Sequence, residues 1–332
     1  MGSRIKKIDY FLPERILSNI ELENQFPDWD SKKIEDKTGV RERHIAGDDE
    51  TALDLGYKAA EKVLIGQNKK NIDFLLFCTQ SPDYYLPTGA CILQNKLGLR
   101  TNTGAFDYNL GCSGFVYGLA MAKSLINSGL ATEILLITSE TYSKHINKLD
   151  KSNRTIFGDG AAATIISKDS ENKIFEFCLG TDGSGYKNLI VPNGGFRKRF
   201  DVECEINNSI NSNERTDNDL YMDGPEIFNF TIESVPKVVK EVLEKNKCDF
   251  EDIDYFIFHQ ANKYIIEYLR KKIGIPSEKF YNDLLLTGNT VSASIPLALY
   301  DCQIKNKIKD GDLVLLVGFG VGYSWGGTII KI

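Results

Sequence analysis

Apolar runs punctuate the chain and predict its framework. Ile72–Thr79, Glu133–Thr138, Tyr255–Phe258 and Leu313–Val317 read as buried strands. Between them lie segments that predict helices: Ala52–Ile65, Pro87–Leu97, Ser113–Ser128, Pro225–Asn246, Asn262–Ile273 and Ser292–Asn306. End signals support several of these, with Gly98, Gly129 and Gly274 just past a last turn and Pro225 near a first turn. Strands alternating with helices predict an α/β protein.

The pattern also repeats. Asp73-Phe-Leu-Leu-Phe-Cys-Thr-Gln-Ser resembles Asp254-Tyr-Phe-Ile-Phe-His-Gln-Ala-Asn, and Glu133-Ile-Leu-Leu-Ile resembles Asp312-Leu-Val-Leu-Leu at nearly the same offset. Gly160-Ala-Ala-Ala-Thr-Ile-Ile-Ser then mirrors Trp325-Gly-Gly-Thr-Ile-Ile-Lys as a closing strand. Buried strands share Leu, Ile and Phe by composition alone, but three matches in one order predict a duplicated α/β unit. The boundary is expected in the polar stretch Lys168-Asp-Ser-Glu-Asn-Lys, giving halves 1–170 and 171–332. A second polar stretch, Arg197–Asp219, reads as a surface excursion.

Composition removes several function classes. With 332 residues, 42% of them hydrophobic and 26% charged, the chain fits a soluble globular protein of two domains or one large two-part core. A net charge of -6 argues against a nucleic-acid or anionic-membrane binder. No apolar segment reaches membrane-spanning length, and the start, Met-Gly-Ser-Arg-Ile-Lys-Lys, lacks a signal-peptide core. Seven scattered cysteines without a C-x-x-C pair fit a reducing cytoplasm. Three histidines and no clustered Cys/His spacing predict no metal site.

Cys112 is the leading chemical candidate. In Phe106-Asp-Tyr-Asn-Leu-Gly-Cys-Ser-Gly-Phe-Val-Tyr-Gly-Leu-Ala-Met-Ala a strand turns through glycine into an apolar, buried helix. A thiol at a helix N-terminus meets unpaired N–H groups and the positive end of the helix dipole, which favour the thiolate. The plain alternative is a small core cysteine. His259 ends the strand Tyr255–Phe258, where α/β sheets present functional groups. Asn289 lies in the small-residue loop Thr287-Gly-Asn-Thr-Val-Ser-Ala-Ser-Ile-Pro. A strand-end histidine or a turn asparagine has an ordinary structural explanation by itself. The symmetry of the repeat, however, predicts that these ends converge on Cys112.

These residues resemble a known family. Cys112 in Gly-Cys-Ser-Gly-Phe, His259 in His-Gln-Ala-Asn and Asn289 in Gly-Asn-Thr are similar to the Cys-His-Asn triad of 3-oxoacyl-ACP synthase III, the FabH-type condensing enzymes. Thr38-Gly-Val-Arg-Glu-Arg-His-Ile-Ala, Phe157-Gly-Asp-Gly-Ala-Ala-Ala and Gly318-Phe-Gly-Val-Gly-Tyr-Ser-Trp-Gly extend the resemblance over nearly the whole chain. It implies a thiolase-like fold, two duplicated α/β halves in a five-layered αβαβα arrangement, and a homodimer. It also implies an acyltransferase that starts fatty acid biosynthesis with no cofactor beyond acyl-CoA, which is a substrate. Cys112 would take an acyl group from acyl-CoA, and malonyl-ACP, carried on acyl carrier protein, would lose carbon dioxide and attack the acyl-cysteine. His259 and Asn289 would donate hydrogen bonds to the malonyl thioester oxygen, while the backbone N–H groups of Cys112 and Val321 form a second oxyanion hole.

Departures from the family pattern bear on the substrate. Val321 stands where a glycine is frequent, and a β-branched residue resists positive φ. Leu86 and Phe319 are expected to border the acyl pocket, with Leu86 in place of a frequent phenylalanine. Lys33 and Lys151 occupy the positions of a Trp/Arg clamp on adenine, so an aromatic stacking face is expected to be missing. Lys263, Arg270 and Lys271, with Lys272 and Lys279 nearby, read either as a docking patch for an acidic carrier protein or as a solvated helix face. Arg41, Arg43 and His44 are expected to be structural or close to CoA. The alternative reading is a FabH-like condensing or acyl-transfer enzyme of secondary metabolism with a non-acetyl or carrier-bound primer. HMG-CoA synthase is disfavoured by Gln80 where that family carries Glu, and thiolases by the lack of a second cysteine in Val317–Gly327. A papain-like hydrolase fits neither the buried helix nor the repeat, and a degenerate paralogue would not keep all three polar groups.

Overall fold

A computed structural model describes residues 2–209 and 213–332. Two sheets organise it, with strands β1 (Gly2–Phe11), β2 (Phe74–Cys78), β3 (Gly104–Tyr108), β4 (Glu133–Glu140) and β5 (Gly160–Asp169) in the first. Its order is β1-β5-β4-β2-β3, with β2 parallel to β3 and β4, and β5 antiparallel to β1 and β4. The second sheet contains β6 (Cys178–Thr181), β7 (Tyr255–Phe258), β8 (Leu313–Gly320) and β9 (Ser324–Lys331). Its order, β6-β9-β8-β7, repeats β1-β5-β4-β2 with the same directions. Even the missing fifth strand leaves a trace, since Phe280 bridges Phe256 in parallel where β3 lies beside β2. Asp73 and Asp254 precede equivalent strands, and each accepts a backbone N–H at the start of the neighbouring strand, from Thr132 at 2.7 Å and Leu313 at 2.9 Å.

Helices cover every sheet face. Of α1 (Ser31–Thr38), α2 (Ala52–Leu64), α3 (Gly89–Lys96), α4 (Gly114–Asn127), α5 (Gly224–Asn246), α6 (Lys263–Ile273) and α7 (Ser294–Ile304), all but α1, which packs on α6, lie against a sheet. On the outer face of the first sheet, α2 and α3 bury Leu55, Val63 and Leu93 against Leu75, Phe77 and Ile137. On the outer face of the second, α5 and α6 bury Val239 and Leu269 against Phe256, Phe258 and Leu315. Between the sheets, Phe115 and Leu119 of α4 and Ile295 and Leu299 of α7 pack on Leu76 and Leu136 from one side and Ile257 and Leu316 from the other. Five layers result, αβαβα. Strands covered on both faces need no alternation of polar residues, which is why their sequences read as continuous apolar runs.

Sequence and structure differ mainly at sheet edges and strand ends. Strand β1 lies at the edge, and its Ser-Arg-Ile-Lys-Lys-Ile-Asp carries the charges that edge strands tolerate, hiding the strand signal. Strand β4 runs past Thr138 through Ser139 to Glu140, all buried. In the 197–219 stretch, Asn207–Ser209 pairs with Asn213–Arg215; residues 210–212 of that stretch lie outside the described residues.

Leu299 belongs to the layer shared by both sheets and has no exposed surface. Leu299→Ala is expected to cost about 2–5 kcal/mol, read as a lower denaturant midpoint; an unchanged midpoint would contradict this packing.

Candidate active site

A cavity of about 1040 Å³ opens between the halves, and Cys112, His259, Asn289, Phe319 and Gly320 line it together. All but Asn289 arrive at the end of a regular element. Cys112 sits in the turn from β3 into α4, His259 directly follows β7, and Phe319 and Gly320 end β8. Asn289 is held by main-chain bonds from its N–H to Ile156 O at 2.9 Å and from Gly158 N–H to its carbonyl at 3.1 Å. The approach of backbone to sulfur is close enough to demand glycine. A Cβ at Gly320 would lie 2.9 Å from Cys112 Sγ, and one at Gly114 would lie 2.4 Å from Cys78 Sγ. Ser113 does not cap α4; its hydroxyl meets that of Ser324 at 2.7 Å, tying the halves together beside the thiol.

The resting thiol is not the thiolate expected from its helix terminus. Burial pushes Cys112 up to about 12, and the charge of Glu140 adds to the shift, while the backbone N–H groups of Cys112 and Val321 pull the other way. Removing the sulfur from water costs the anion more than the two N–H groups return. Both donors lie against the sulfur itself. Val321 escapes the backbone problem because Gly322 (φ 70°) and Tyr323 (φ 49°) take the left-handed positions.

His259 is buried, and desolvation lowers its pKa to about 3 despite a backbone hydrogen bond with Val291 that opposes the shift. The imidazole is therefore neutral. Its Nδ1 lies 2.7 Å from the Ser294 hydroxyl, and its ring packs edge-on against Phe319 at 5.5 Å. When the hydroxyl donates to Nδ1, the ring proton resides on Nε2. The Asn289 carboxamide is oriented by its own turn, its Oδ1 accepting Val291 N–H at 2.9 Å, which leaves the amide N–H groups free to donate.

The outer expectations fare unevenly. Phe319 lines the cavity, but Leu86 does not; it is 80% exposed on the loop after β2. Lys33 and Lys151 both line the mouth, but the expected loss of an aromatic face is incorrect. Trp29 supplies one, with Lys151 Nζ 5.7 Å from its ring centre and paired to Asp28 at 2.8 Å. Sequence reading overlooked Trp29 because it stands four positions before the residue examined. Arg270 is no free docking cation: Glu267 holds it at 2.9 Å and the Ile275 carbonyl at 2.9 Å, closing the end of α6. Lys263 and Lys271 are exposed on the same helix. Arg43 is wholly buried on Asn19 and the carbonyls of Leu17 and Thr155, a structural role. Glu140 and Tyr142 were also overlooked. Tyr142 stacks near Phe157 in the cluster containing Cys112 and donates to Gln80 Oε1 at 2.5 Å. Among the described residues, no group of three His, Cys, Asp or Glu side chains is arranged to hold a metal ion.

Comparison with known proteins adds independent findings. Residues 106–183 match the family described as 3-oxoacyl-[acyl-carrier-protein (ACP)] synthase III, and residues 243–332 match its C-terminal family. A beta-ketoacyl-[acyl-carrier-protein] synthase III of Caldanaerobacter subterraneus subsp. tengcongensis is 39% identical over 97% of this chain and 95% of its own. A crystal structure of a 3-oxoacyl-(acyl-carrier-protein) synthase III superposes with a TM-score of 0.98 at 44% identity, covering all of both chains. The priming beta-ketosynthase from the R1128 polyketide biosynthetic pathway superposes at 0.88 with 30% identity, over all of this chain and 96% of that one.

A histidine depressed to about 3 stays neutral where a free imidazole titrates. NMR of the His259 ring is expected to show no titration between about pH 5 and 8; an inflection near the ordinary value of about 6.5 would contradict the burial described here.

Proposed function

We propose, since the chain belongs to the 3-oxoacyl-[acyl-carrier-protein] synthase III family, that it condenses an acyl-CoA primer with malonyl-ACP by way of an acyl-cysteine. The observation that carries this reading is the meeting of Cys112, His259 and Asn289 in one cavity. In the first half-reaction the Cys112 sulfur attacks the thioester carbon, the bond from that carbon to the CoA sulfur breaks, and the thiol proton leaves with CoA. Because burial holds the thiol protonated, its ionisation accompanies attack, when charge passes to the substrate oxygen. The N–H groups of Cys112 and Val321 are suited to receive that oxygen.

In the second half-reaction the bond between the malonyl α-carbon and its carboxylate breaks. Carbon dioxide departs, and the electron pair moves into an enolate. The neutral imidazole of His259 and the amide of Asn289 donate to the enolate oxygen, and need accept no proton. The α-carbon then attacks the acyl carbon, the bond from that carbon to the Cys112 sulfur breaks, and the departing sulfur takes a proton from solvent to restore the thiol. No cofactor enters either step. Ile156, Leu189 and Met222 give the primer an apolar wall, with Phe319 beside His259. At the mouth, Trp29, Lys33 and Lys151 suit a nucleotide, while Lys263 and Lys271 suit an acidic carrier protein.

The exposed loop supports a homodimer. Tyr84, Tyr85 and Leu86 are all uncovered, Phe196 packs on Tyr85 at 5.5 Å, and a chain alone would leave this apolar ridge in water. The halves 1–170 and 171–332 would each contribute part of every site. Seven free cysteines suit the cytoplasm. The 44% identity to a synthase III against 30% to a polyketide priming enzyme favours fatty acid initiation over secondary metabolism.

Intact-mass analysis after incubation with acyl-CoA esters is expected to detect one acyl group, absent in Cys112→Ala, and discharged as a 3-oxoacyl-ACP on addition of malonyl-ACP. Asn289→Ala or His259→Ala is expected to slow decarboxylation by about 10²–10³. No condensation product from any primer would overturn the reading. Leu86→Asp is expected to convert the dimer to a monomer by light scattering; a dimer of unchanged strength would exclude this ridge as the interface.

A further inference from the structure

Among the buried acids that the proposed chemistry leaves unused, Glu140 is the one whose charge acts on Cys112. Glu140 ends β4 with no exposed surface, and three donors close on its carboxyl group. They are the Gln80 N–H at 2.9 Å, the Ser292 hydroxyl at 3.0 Å and the Ser81 hydroxyl at 3.3 Å. Gln80 and Ser81 belong to the first half, in the loop after β2. Ser292 belongs to the second, in the strap from Asn289 to Ser294 that carries both oxyanion groups: Asn289 directly, and His259 through Ser294.

This strap is strained. Val291, between Asn289 and Ser292, is β-branched and yet adopts φ +54°. Such a conformation persists only where its surroundings fix it. Two bonds bracket it: Val291 N–H to Asn289 Oδ1 on one side, and Ser292 to Glu140 on the other.

We propose that Glu140 is a positioning residue for decarboxylation: by anchoring Ser292 across the junction of the halves, it keeps the strained strap in the conformation that aims Asn289 and His259 at one oxygen. The inference rests on the reaction proposed above. A carboxyl group suits the task better than an apolar side chain, which would leave the buried Gln80 N–H unpaired. Burial, with the charge of Asp159 as a smaller contribution, pushes Glu140 up to about 8. The Ser81 and Ser292 hydroxyls can each donate or accept, so the cluster is satisfied with Glu140 protonated or ionised.

The test separates the two half-reactions in the wild type, Glu140→Ala, Glu140→Gln, Ser292→Ala and the double alanine variant, with thermal unfolding followed in parallel. Glu140→Ala and Ser292→Ala are expected to lose about 10²-fold in carbon dioxide release from a malonyl thioester, the effect of a misplacement of roughly 1 Å, with a smaller change in Cys112 acylation. The double variant should be no slower than the worse single variant, because both remove one anchor. Glu140→Gln, which keeps an acceptor for Gln80 and a polar partner for Ser292, should recover most of the rate. Wild-type decarboxylation in Ser292→Ala, or equal losses in both half-reactions, would overturn the proposal, and Ser292→Ala decides it if Glu140→Ala fails to fold. A wild-type protein that releases no carbon dioxide would defeat the reaction rather than the anchor. The anchor is then read from the His259 ring resonances, which should move in Ser292→Ala and whose constancy would overturn it.

Discussion

Everything in this molecule follows from two sheets sharing one pair of helices. Helices α4 and α7 are covered on both sides, so their starts lie at the seam between the halves, close to the ends of β7 and β8. The Cys112 thiol at the start of α4 and a polar strap leading into α7 therefore meet without any long loop to carry them. The tolerance is small: a Cβ at position 320 would come within 2.9 Å of the thiol sulfur, and backbone cannot give way as a flexible side chain can.

Exclusion of water explains both the protonated thiol and the neutral histidine. Desolvation disfavours the anion of Cys112 and the cation of His259 alike. The same dryness strengthens every hydrogen bond offered to charge that develops on a substrate. A centre that keeps its thiol and its imidazole uncharged at rest, with two separate pairs of donors in the proposed reaction, suits oxyanions that would exist only during turnover.

Much of this was legible in the sequence. The apolar runs gave the four central strands, and their repetition gave the duplicated architecture, because burial on both faces removes polar interruptions. Cys112, His259 and Asn289 could be picked out because each follows a recognisable strand or turn. Glu140 could not be: it prolongs an apolar strand with Thr-Ser-Glu, and nothing in that string says the polar end is buried. Trp29 was hidden by position, since a ring reaching the mouth from a neighbouring turn leaves no spacing signal. The state of the thiol was misjudged because a helix terminus is visible in a sequence while the depth of burial is not.

The glycine at 320 has one more consequence. Main chain closes the sulfur on the β8 side, and Gly111 packs against Val321 and Gln80 close by. Any group joined to Cys112 would therefore have to extend away from β8, toward the cavity that the sulfur lines. The room around this sulfur is thus limited first by the framework, at a position where no Cβ fits.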